Sequence, residues 1–174
     1  MIVAFELLSL ATLIGAIDVL YFHLYRFRLY DQPGSNAEEL THLLRAAIFA
    51  AVVALIAFSN GSPLARQALL VLAGLDLVNN IADVTLEKRS RAPLGGLPTA
   101  EYLLHIVGTF LVGLAVAAVW FQSSPAGFVP LPDEPWYQWR AMGTVVGGVG
   151  LLGIEAWLWI RSLARRRLTE VVAG

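Results

Sequence analysis

Asp76-Leu77-Val78-Asn79-Asn80-Ile81-Ala82-Asp83-Val84-Thr85-Leu86-Glu87 sets three carboxylates into a segment otherwise apolar enough to enter a bilayer. At 100° per residue, Asp76, Asn80, Asp83 and Glu87 fall within about 60° of one another, so the spacing predicts a helix with one polar stripe and apolar flanks. Ionisable groups at membrane depth are costly and mark function, so the stripe needs partners from other helices. Three further apolar segments offer them, each with an acid and a histidine: Asp18 with His23, Glu39 with His42, and Glu101 with His105.

The rest of the chain has a membrane composition. Of 174 residues, 57% are hydrophobic and 14% charged, against about a quarter charged in soluble domains; mean hydropathy is +0.68. Runs near the roughly 20 residues that cross a hydrocarbon core recur five times. The expected fold is an all-α, polytopic bundle in one transmembrane domain, with helices near 2–25, 39–58, 64–87, 99–121 and 138–163. The first run has no basic segment before it and contains Glu6, so it is expected to be retained as a helix rather than removed as a signal.

Local punctuation supports these boundaries. Asp31-Gln-Pro-Gly34 and Asn60-Gly-Ser-Pro63 are turn sequences, and Ser35 or Asn36 followed by Glu38 or Glu39 reads as a capping box. Residues 122–137 hold four prolines and predict an ordered cap over one end. In the last helix, Gly143-x-x-x-Gly147 and Gly150-x-x-Gly153 would allow close approach of a neighbouring helix, the expected contact for a homo-oligomer or a larger membrane complex.

Basic residues gather at one set of helix ends: Arg26 and Arg28, then Lys88, Arg89 and Arg91, then Arg161 and Arg165 to Arg167. The positive-inside rule therefore predicts the N-terminus outside and the C-terminus cytoplasmic, in a bacterial cytoplasmic membrane. Counted from those flanks, His23, His42, Asp83 and His105 lie about 5–10 Å inside the cytoplasmic boundary, Asp18 about 12 Å and Glu155 about 9 Å. All three histidines of the protein share this layer.

The absence of cysteine excludes disulfides and thiolate metal sites, and two methionines argue against a soft copper site, so a metal must be held by oxygen and imidazole. Glu39-x-x-His42 is the i, i+3 pair of carboxylate-bridged dimetal bundles. Glu101-x-x-x-His105 places its pair at i, i+4. The order acid, Glu-x-x-His, acid, Glu-x-x-x-His resembles the ligand order of ferritin-like four-helix bundles, with the second pair one residue longer. That resemblance implies one or two divalent ions, zinc, iron or manganese, held by His42, His105, Glu39, Glu101, Asp83, His23 and Asp18.

Glu87 and Asp83 are the expected proton-transferring groups, and Asp76, Asn80 and Arg45 the supporting shell, with Arg45 paired to Asp83 or Asp18. On an α-helix Asp18 and His23 are about 140° apart, so only one of them is expected to face the centre. The expected activity is metal-dependent hydrolysis or oxidation of a lipid-like substrate. The alternative is a non-enzymatic membrane subunit or a proton or cation carrier built on an ion network. The many acids disfavour haem between two histidines. A net charge of −1 carries no signal for nucleic acid, and none is expected as a partner.

Overall fold

A computed structural model describes the backbone of residues 1–173 and the side chains of residues 1–168. Five helices are long and apolar enough to cross a membrane. They are α1 (Ile2–Ile17), which continues as a π-helical segment (Asp18–Arg26), α2 (Asn36–Phe58), α3 (Pro63–Arg91), α4 (Thr99–Phe121) and α5 (Pro135–Ala173). Large apolar side chains such as Leu13, Leu75, Val78, Phe110 and Trp157 point outward, while Asp76, Asp83 and Glu87 of the stripe, with His23 and His42 of the neighbouring helices, are buried.

α1 packs chiefly on α4, and α2 lies between α3 and α5. α1 and α5 meet at few points, so the two halves of the bundle part there. The apolar core sits at one end, where Phe5, Leu8, Val53, Ile56, Leu69, Val119, Phe128 and Leu131 pack together.

The proline-rich stretch closes this end. A two-stranded hairpin (Ser123–Ser124 with Gly127–Phe128) tucks Phe128 and Leu131 into the core, and Phe128 N–H donates to the Gly61 carbonyl at 2.8 Å. Gly61 has φ +66, and a Cβ on it would fall 2.0 Å from the Phe128 carbonyl oxygen, so the α2–α3 turn requires glycine. Ser62 caps α3 by accepting from Ala65 N–H at 3.2 Å.

Two local expectations are corrected. Ser35 makes no side-chain cap on α2, and its hydroxyl is buried without a hydrogen-bond partner. Glu38, the residue expected to complete a capping box, is drawn instead into the bundle by Arg91. α3 also runs through the basic segment to Arg91, whose side chain is wholly buried rather than placed at an interface.

At the same end α5 is stitched to the α1–α2 connection. Ser162 donates to Asp31 at 2.7 Å, Trp159 to Asn36 at 3.1 Å, and Arg166 to the Tyr30 carbonyl at 3.2 Å. Trp159 and Arg166 thus have partners within the chain.

Candidate metal centre

The π-helical turn decides how α1 contributes. Bonds from i to i+5 widen the helix, so residues five apart stack on one face, and such segments recur at functional sites. Asp18 and His23 are five apart, and both therefore point inward: Asp18 Oδ2 lies 3.5 Å from His23 Nε2. The α-helical expectation that one of them turns away does not hold, because this stretch is not α-helical.

Around them two sets of ligand atoms converge. In the first, Asp18, His23, Glu101 and His105 offer one atom each within 4.8 Å of one another; in the second, His23, Glu38 and His42 do so. His23 belongs to both. Asp18 Oδ2 is 2.8 Å from His105 Nε2, and Glu101 Oε1 is 3.6 Å from His23 Nε2. His42 Nε2 is 3.1 Å from Asp83 Oδ1 and 4.0 Å from Glu38 Oε1, without hydrogen-bond geometry to either. Ligand atoms about 2.0–2.1 Å from one tetrahedral zinc lie about 3.3–3.4 Å from each other, so these separations are close to those of a shared ion.

The surrounding groups orient the ligands. Glu87 Oε1 lies 2.8 Å from His105 Nδ1 without hydrogen-bond geometry, and His105 Nε2 is hydrogen-bonded to Asp18 Oδ2 at 2.8 Å, so the ring sits between two carboxylates. Thr41 donates to Asp83 at 2.6 Å, and Asn79 donates to the Thr41 carbonyl at 2.9 Å. Arg91 pairs with both Glu38 and Glu101, and its Nη2 is 3.3 Å from His23 Nε2. Ser90 donates to Glu38 on the same side.

Several expected residues are placed elsewhere. Glu39 belongs to neither ligand set; Glu38, one residue earlier and i, i+4 to His42, takes its place. Arg45 pairs with Asp76 at 3.5 Å and donates to Asn80 at 2.9 Å, so it neutralises Asp76 and not Asp83 or Asp18. Asp83 and Glu87 touch histidines from outside the two sets.

Arg91 and Glu38 are the residues that sequence reasoning missed. The signal for Arg91 was present: Asp83, Glu87 and Arg91 follow at i+4 spacing, which extends the polar stripe by one turn. Glu155 completes the surroundings from α5. It is 1% exposed, and neither of its oxygens has a hydrogen-bond partner.

Beside the ligands lies a cavity of about 710 Å³ between α1, α2, α4 and α5. Asp18, His42, His105 and Glu155 line one end, and Phe49, Val112 and Leu151 are among its apolar walls. Gly143, Gly147 and Gly150 also line it, so among the described residues no helix packs into the glycine face of α5. The chain matches no protein-family model, no curated protein and no solved structure, and function must be read from these side chains.

Proposed function

We propose that the chain is an integral membrane metalloprotein with a divalent-metal site built on His23, completed either by Asp18, Glu101 and His105 or by Glu38 and His42, acting on a lipid-like substrate that reaches it through the cavity. The observation that carries this is the convergence of two imidazole and carboxylate sets on one histidine, at the end of an apolar cavity. Zinc, iron and manganese all suit this donor set.

Charge supports the same reading. Asp18, Glu38, Asp83, Glu87 and Glu101 are all buried around a single buried guanidinium, that of Arg91. Uncompensated charge is expensive at this depth, and a divalent cation would add to Arg91 in offsetting those carboxylates.

When bound, such an ion would supply Lewis-acid activation of water or dioxygen, which corresponds to hydrolysis or oxidation. The chain's own contribution is positioning: Glu87 and Asp18 flank His105, Thr41 holds Asp83, and Arg91 holds Glu38 and Glu101. The proton-accepting role passes from Glu87 to Glu155, the carboxyl that lines the cavity without a partner.

The basic ends Arg26, Arg28, Lys88, Arg89 and Arg161 support the reading of a site on the cytoplasmic side of a cytoplasmic membrane protein whose N-terminus lies outside. Elemental analysis of purified protein beside a His42→Ala/His105→Ala variant tests the proposal. One equivalent of zinc, iron or manganese, lost in the variant, is expected. No stoichiometric metal in folded wild type would overturn it.

One observation favours a second reading. Arg91 already bridges Glu38 and Glu101 and reaches His23, as a resident cation would. Under that reading the cluster is a metal-free ion network in a carrier or in a subunit of a larger complex. Metal-free protein that is stable only with Arg91 intact would favour it.

A further inference from the structure

The cavity holds a second observation that the ligand sets do not explain. Glu155 is buried, lines the cavity and satisfies neither oxygen, and a buried carboxyl left without a donor is costly. Glu39, from α2, is likewise buried with neither oxygen hydrogen-bonded, but it does not line the cavity. The unpartnered Glu155 carboxylate, which does, calls for a hydrogen-bond donor from outside the chain.

From Glu155 the cavity follows α5 towards Arg140, fifteen positions earlier and about 22 Å away along the helix. Gly143, Gly147, Gly148 and Gly150 line that path, and a Cβ built on any of them meets nothing within 4 Å. The missing side chains therefore leave the width of the passage open. At its far end Arg140 is held by Glu6 at 2.6 and 2.7 Å, so this guanidinium has its own carboxylate.

We infer that the cavity binds a single-chain amphiphile whose head donates hydrogen bonds, a long-chain alcohol or amine. The head sits at Glu155 and the chain lies along the glycine face of α5. As occupant of the cavity this ligand needs no metal. As substrate of the centre, with its head beside His42 and His105, it rests on the reading proposed above.

Native mass spectrometry of the purified protein, with hexadecanol, hexadecylamine, hexadecanoic acid and octanol as probes, tests the inference. Hexadecanol and hexadecylamine should be retained at one per chain, and hexadecanoic acid about tenfold or more weakly, because its ionised head meets carboxylates where a donor is required. Glu155→Leu should abolish that preference. Gly147→Leu should lose hexadecanol while retaining octanol.

Gly153→Leu, on the same helix but away from the cavity, controls for folding and should bind as wild type does. Equal retention of hexadecanoic acid and hexadecanol by the wild type would overturn the inference. So would an unchanged ratio of hexadecanol to octanol in folded Gly147→Leu, which would mark the bound chains as bulk lipid. Repeating the wild-type binding after chelation separates the two claims: retained hexadecanol with no metal ever detected sinks the metal reading alone.

Discussion

The two ends of this bundle are built on opposite terms. At one end Phe5, Val53, Ile56, Leu69 and Val119 pack against the Phe128 hairpin, and charges such as the Glu6 and Arg140 pair, 44% and 27% exposed at the side chain, stay at its edge. At the other, three histidines, Arg91 and the carboxylates around them fill the interior with polar groups. Lipid provides no water to be expelled between helices, so the dry end holds together by packing and the polar end only if its charges are matched. Stability and chemistry have been given separate ends of the same helices.

The sharpest way to break the comparison is Arg91→Met. Removing one partner of a buried charge set typically costs about 3–5 kcal/mol, and here it strands both Glu38 and Glu101. Thermal unfolding in detergent should show this loss in metal-free protein and a smaller one in metal-loaded protein. An equal loss in both would mean that the carboxylates are not metal ligands.

Next in size, Ile56→Ala at the dry end should cost about 2–4 kcal/mol through lost packing. It should leave metal content unchanged, since Ile56 belongs to the apolar core. A fall in bound metal would show that the ends are coupled.

Asp76→Asn gives an intermediate case. It removes the partner of Arg45 just beyond the site, and a loss of about 1–3 kcal/mol is expected. Retention of metal at wild-type stoichiometry would place Asp76 outside the centre.

The smallest effect is expected from Glu6→Gln. The pair with Arg140 is bidentate but half-exposed, and a change within about 1 kcal/mol should be seen in unfolding.

Much of this architecture was legible in the chain because hydropathy and the 3.6-residue period act locally. The Asp76 to Glu87 stripe put Asp83 and Glu87 on the inner face, where the structure has them. What escaped depends on tertiary context or on a change of period. Asp18 and His23 diverge on an α-helix and converge on a π-helix, and nothing in the residues from Asp18 to Arg26 announces the wider turn.

Adjacent Glu38 and Glu39 are equivalent by composition. Arg91 on α3 selects Glu38, while Glu39 is buried without a hydrogen-bond partner. Arg91 itself was hidden by its neighbours Lys88 and Arg89, which are exposed at a helix end and make the whole segment look like a membrane flank.

The most direct test of the central claim is the metal stoichiometry of three single variants beside wild type. Wild type should carry one equivalent and His23→Ala, which removes the ligand common to both sets, close to none, while of His42→Ala and His105→Ala the one that removes a ligand of the occupied set should lose it. Wild-type protein that is folded and holds no zinc, iron or manganese would contradict the metal reading and leave Arg91 as the resident cation of the cluster.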